Sequence, residues 1–106
     1  MGKRRLETGQ PAVAVDSLLG KPVEGELDLH GHDSRSAEVA LESFISRWSQ
    51  TRSGAVVRVI TGRGNRSGGA PVLQPVVARL LAGRLAQYVH RHTVDRGGGA
   101  FLVQVR

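Results

Sequence analysis

The chain has 106 residues and a mass of 11.3 kDa, room for one hydrophobic core and not two, because a domain takes on the order of 100 residues. No apolar run approaches the roughly 20 residues of a membrane-spanning helix, and the absence of cysteine excludes a disulfide scaffold, a thiolate zinc site and a cysteine nucleophile together. Fifteen Lys and Arg against nine Asp and Glu leave a net charge of +6 and a pI near 11.3, a profile that favours polyanionic partners, nucleic acid first among them.

The charge is unevenly spread. Residues 1–42 hold eight of the nine acidic groups and are net negative, whereas the remainder holds ten Arg against Asp95 alone. Thirteen of the fifteen cations are Arg, whose planar fork grips phosphate in bidentate fashion. The competing reading of such an excess is a solvated face with no partner.

Residues 1–23 lack sustained periodicity and contain Gly9, Pro11, Gly20 and Pro22, so they read as an extended or disordered arm, and residues 24–106 as the folded domain. The short apolar stretch from Val13 to Leu19 is broken by Asp16 and does not make a secretory signal, so a cytoplasmic location is expected. Glu26-Leu27-Asp28-Leu29-His30 alternates with period two: Leu27 and Leu29 face a core, and Glu26, Asp28 and His30 share the other side of a first strand. Asp33 is placed to cap a helix in which Ala37, Ala40, Leu41, Phe44, Ile45 and Trp48 recur at helical spacing, ending near Ser53-Gly54. Val56-Val57-Arg58-Val59-Ile60-Thr61 is β-branched and nearly continuous, as a central strand requires.

A glycine-rich loop over residues 62–71 leads to a second helix carried by Leu73, Val76, Val77, Leu80, Leu81 and Leu85. Residues 88–94 alternate as a third strand, Gly97-Gly98-Gly99 turns the chain, and residues 100–105 form a fourth that alternates through Phe101, Val103 and Val105. The order is β-α-β-α-β-β, an α/β domain with a four-stranded mixed sheet and two helices.

In a β-α-β unit with neighbouring parallel strands, both strands end on the same edge of the sheet, where ligands bind in open α/β folds. His30-Gly31 and Thr61-Gly62 are therefore expected to meet. The loop Gly62-Arg63-Gly64-Asn65-Arg66-Ser67-Gly68-Gly69 can offer amides to a phosphate while Arg63 and Arg66 neutralise it. It lacks the Gly-Lys-Ser/Thr ending of a Walker A loop, and the bland alternative is a plain connector. Asp28 and His30, about 7 Å apart along one strand face, supply the acid and imidazole that phosphodiester cleavage uses beside cations; the alternative is two polar residues on the wet side of a strand. The pairs His30/His32 and His90/His92 do not show helix-type ligand spacing and read as solvent-facing rather than as a zinc site.

Leu27-Asp28-Leu29-His30-Gly31, Thr61-Gly62-Arg63-Gly64 with Ser67 and then Val72-Leu73, and the closing Gly97-Gly98-Gly99-Ala100, in that order, resemble the Smr (small MutS-related) domain family over residues 26–106. The resemblance implies a two-layer α/β sandwich that binds DNA or RNA, with endonuclease or nicking activity in several members. It ties Asp28 and His30 to cleavage and Gly62, Arg63 and Gly64 to nucleic-acid binding, with Arg66 and Ser67 in the same loop. It also brings in the ribosome as a partner, since some relatives act on messenger RNA at stalled ribosomes. In the cleavage reading of the residues themselves, His30 is the general base or acid and Asp28 either orients it or holds a divalent metal ion, Mg²⁺ or Mn²⁺. One departure bears on activity: Arg66 stands where stand-alone members commonly have His. The C-terminal glycine turn is also one residue shorter. The alternative function is a non-catalytic module that binds RNA, DNA or the ribosome.

Overall fold

A computed structural model of the protein describes residues 18–62 and 73–106. In chain order these form β1 (Gly25–Asp28), α1 (Ser34–Thr51), β2 (Val56–Ile60), α2 (Leu73–Ala82), a 3₁₀ turn (Ala86–Tyr88), β3 (Val89–Val94) and β4 (Ala100–Val105). The sheet runs β1-β2-β4-β3. β1 is parallel to β2, with Leu27 opposite Val59, and β4 is antiparallel to both β2 and β3. This is the expected α/β order, with two helices on a four-stranded mixed sheet.

Both helices lie on one face. Leu29, Val57, Val59, Phe101, Val103 and Val105 from the sheet share one buried cluster with Ala37, Leu41 and Ile45 of α1 and Leu73, Val77, Leu80 and Leu81 of α2. The 3.6-residue stripes of the helices meet the period-two stripe of the strands, which makes the two layers. Each such Leu contributes about 1.5–3 kcal/mol by leaving water. Phe44 and Trp48 of the α1 stripe sit at the margin of this core, and Gly25 leaves the space that the Trp48 ring occupies.

Asp33 caps α1 as its position predicts: its Oδ1 accepts the Ser36 N–H at 2.8 Å, and that bond holds its carboxyl below the ordinary carboxylate range. The helix ends before Gly54, whose φ of +88° turns the chain toward β2. Arg84, just beyond α2, reaches back to Glu38 at 2.5 Å and to Glu42, one turn apart on α1, and so ties the two helices together.

Three features differ from the sequence-based expectation. β1 ends at Asp28 and not at His30, β3 is preceded by a 3₁₀ turn, and β4 is buried on both sides, with Leu102 as enclosed as Val103. The last difference has a cause outside the sheet: Leu18, with Leu19 and Val23 beside it, packs on Leu102 and Val56 on the face away from the helices. Residues 18–23 of the expected arm thus cover part of that face, and residues 1–17 lie outside the described residues.

Candidate functional site

The carboxyl ends of β1 and β2 lie side by side, and each is finished by a glycine turn. At β1, the Leu29 N–H donates to the Ile60 carbonyl at 2.7 Å, the last rung beside β2, and the His32 N–H then closes a turn on the Leu29 carbonyl at 2.9 Å. Gly31, third in that turn, has φ +90°, the conformation a type II turn requires there. Asp28 Oδ1 accepts the His30 N–H at 2.9 Å, the side-chain-to-backbone bond two residues on that marks an Asx turn. The alternation of Asp28 and His30 on one strand face is therefore replaced by a different relation. Asp28 holds the backbone of His30 at the head of a turn, and the imidazole is left exposed.

At β2, the N–H groups of Thr61 and Gly62 both donate to the Gly99 carbonyl, at 2.9 and 3.0 Å. Thr61, the buried polar residue here, adds its hydroxyl to the Gly62 carbonyl at 3.1 Å. Gly62 has φ +82°, and a Cβ built on it would stand 3.2 Å from His30 Cδ2. His30 and Gly62, well separated along the chain, thus stand side by side, which is the meeting of turns expected from the β-α-β unit. Because the Gly62 N–H is committed to Gly99, Gly62 contributes a left-handed bend and a close approach rather than an amide for a phosphate.

Arg63, Gly64, Arg66 and Ser67 lie outside the described residues. Gln74, in the first turn of α2, is a residue that sequence pattern alone does not single out. Its Nε2 donates to the Gly62 carbonyl at 3.4 Å and to the Gly98 carbonyl. The only signal in the sequence is a polar side chain between Leu73 and Pro75 at the head of an apolar helix.

The two histidine pairs lie apart. His32 Nδ1 lies 3.2 Å from the Ser36 hydroxyl. His90 and His92 stand on β3, three strands from β1 in the sheet order, or roughly 14 Å at the usual strand spacing. His92 is half-buried edge-on against Phe101, ring centroids 6.4 Å apart, and burial pushes its imidazole below the ordinary histidine value. Among the described residues no three His, Asp or Glu side chains gather as metal ligands.

Folding pairs off much of the charge asymmetry seen along the chain. Arg52 bonds Glu24 at 2.5 Å, and Arg58 bridges Glu26 at 2.7 Å and Asp95 at 2.9 Å, contacts that raise its own pKa further. With Arg84 on Glu38 and Glu42, these ion pairs draw on five of the nine acidic residues. Arg35, in the first turn of α1, and Arg96, in the turn before Gly97, are exposed and have no acidic side chain in ion-pair contact among the described residues. They belong to the two segments that adjoin the His30–Gly62 pair.

Fold and site together define a two-layer α/β domain in which His30 and Gly62 stand at the carboxyl edge of two parallel strands, the place where such sheets take ligands. Residues 27–106 match the family model of the Smr domain. The chain belongs to the Smr domain family, a nucleic-acid-binding, nuclease-associated family. It is also similar to an uncharacterized protein of Treponema pallidum (strain Nichols), 32% identical over 98 residues, which cover 92% of this chain and 42% of that relative. The chain thus spans less than half of the relative's length. No helix among the described residues is long and apolar enough to cross a membrane.

Proposed function

We propose that this chain cleaves phosphodiester bonds in DNA or RNA, with His30 as the proton-transferring group. The observation that carries the reading is the placement of the exposed His30 ring beside Gly62, the residue from which the arginine-bearing segment continues. An imidazole changes charge near neutrality and so can take a proton from the attacking hydroxyl or return one to the leaving oxygen. Gly64, Arg63, Arg66 and Ser67 would hold the phosphate and balance its developing charge, as the family's motif implies. Asp28 serves by holding the His30 backbone, and Arg35 and Arg96 extend the cationic surface to either side.

A divalent ion fits this corner only as one shared with substrate. Asp28 has one carboxylate oxygen bonded to the His30 N–H, and it is the residue here that would hold Mg²⁺ or Mn²⁺. Such an ion would supply charge stabilisation at the phosphate. The setting we infer is the cytoplasm, with the ribosome a candidate carrier of the RNA.

A second reading, a module that binds without cutting, is favoured by one observation: the Asp28 carboxylate is bonded to backbone rather than to the imidazole it would need to orient. Incubation of the protein with single- and double-stranded DNA and RNA, with and without Mg²⁺ or Mn²⁺, decides. Products that vanish in His30→Ala support cleavage at this site. Salt-sensitive binding without turnover supports the second reading, and products that persist unchanged in His30→Ala remove His30 from the chemistry.

A further inference from the structure

We propose that Gln74 is a positioning residue that sets where Gly62 stands against His30. Its consequence for turnover rests on the nuclease reading above; its geometry does not. Both polar backbone groups of Gly62 are tied off. The N–H goes to Gly99 at 3.0 Å, and the carbonyl receives the hydroxyl of its chain neighbour Thr61 at 3.1 Å and, from across the fold, Gln74 Nε2 at 3.4 Å. The same Nε2 also donates to the Gly98 carbonyl, so one carboxamide joins the head of α2, the end of β2 and the β3–β4 turn.

The chemistry at this point selects a donor. Two carbonyl oxygens converge on one nitrogen, and a primary amide has two N–H groups, one for each. A glycine at φ +82° has wide backbone freedom and no side chain to hold it, so its place beside His30 depends on bonds made by others. Gln74 supplies the bond from α2, and Gly99 supplies the one from the hairpin. Nothing in this arrangement requires Gln74 to touch substrate.

The test uses three variants of the full chain. Gln74→Met keeps the length and helix preference of the side chain but has no donor. Gln74→Glu puts an acceptor against two carbonyls. Gln74→Lys restores a donor of similar reach. The readouts are the His30 Cδ2–Hδ2 NMR resonance, assigned through its loss in His30→Ala, and steady-state cleavage of whichever substrate the wild type cuts.

Met and Glu are expected to move the His30 resonance and to lower kcat about tenfold, the order of loss that small misplacement of a reacting group produces, with KM within about twofold. Lys is expected to return both toward wild type. A side chain that only fills space would make Met silent. A wild-type His30 resonance in folded Met and Glu variants overturns the proposal, and should Glu fail to fold, the Met variant alone decides. If the wild type cuts nothing, the nuclease reading fails by itself, and the His30 resonance still decides the role of Gln74.

Discussion

A methyl group placed on Gly62 would lie 3.2 Å from Cδ2 of His30, closer than side-chain carbons ordinarily pack. Gly62→Ala therefore carries two costs, a left-handed backbone that disfavours a Cβ by roughly 1–2 kcal/mol and a push on the imidazole. Gly54→Ala, at φ +88° with nothing within 4 Å of the added carbon, carries the first cost alone. Thermal denaturation is expected to show a loss in both variants, the larger in Gly62→Ala, at about 4–8 °C per kcal/mol for a domain of this size, while the His30 ring resonances shift in Gly62→Ala and stay in place in Gly54→Ala.

The bond from the His30 N–H to Asp28 Oδ1 asks only for an acceptor. Asp28→Asn keeps that acceptor through its amide oxygen, so its stability is expected to stay near wild type. Asp28→Ala leaves the turn unheld and is expected to lose about 1 kcal/mol, the usual net worth of one such bond. Chemical denaturation of the two variants checks this. Nuclease activity lost in both would assign the negative charge itself a role, as metal ligand or electrostatic partner; activity kept in Asn and lost in Ala would leave Asp28 as the support of the turn.

Arg35 and Arg96 make no ion pair among the described residues, unlike Arg52, Arg58 and Arg84. If they meet phosphates, each Arg→Ala change weakens nucleic-acid binding and lowers the slope of log affinity against log salt by about one. Arg79, in the last turn of α2, is the control, since the first turn of that helix is the one that reaches the site and helices rise about 1.5 Å per residue. Fluorescence anisotropy across a salt series should show Arg79→Ala unchanged. Equal losses in all three variants would reveal diffuse attraction with no track.

His92 connects burial to pH. Its folded-state pKa is lowered from 6.5 by desolvation, so the unfolded chain takes up this proton first as pH falls. Stability should therefore drop as pH goes below about 6.5 and level off once the folded imidazole is itself protonated. His92→Gln, which cannot titrate, is expected to flatten that part of the urea-denaturation profile. Asp33 acts lower on the scale: its carboxyl is held below 3.8, so its capping contribution is present above that value and is lost progressively as pH falls from there through the folded-state pKa.

The legibility of this chain followed its periodicities. The α1 stripe from Ala37 to Trp48 and the α2 stripe from Leu73 to Leu81 face the core as their spacing predicts, and Asp33 caps α1. The meeting of His30 with Gly62 was legible too, through the β-α-β rule. What local pattern misjudged was the end of β1. Alternation through His30 says strand, but Gly31 can take φ +90° and Asp28 can bond two residues on, and those two local preferences win once the ladder to β2 runs out at Leu29.

Composition, period and the order of motifs were enough to establish the fold class, the two helix faces and the sheet edge at which His30 and Gly62 meet, because each is a property of neighbouring residues or of chain connectivity. Three things awaited the folded arrangement: the covering of Leu102 by Leu18, the pairing of early acids with late arginines, and the two hydrogen bonds of Gln74 to the turns at Gly62 and Gly98. Each is a contact between segments distant in the chain with no shared period, so its partners are defined only when the sheet order β1-β2-β4-β3 brings them within reach.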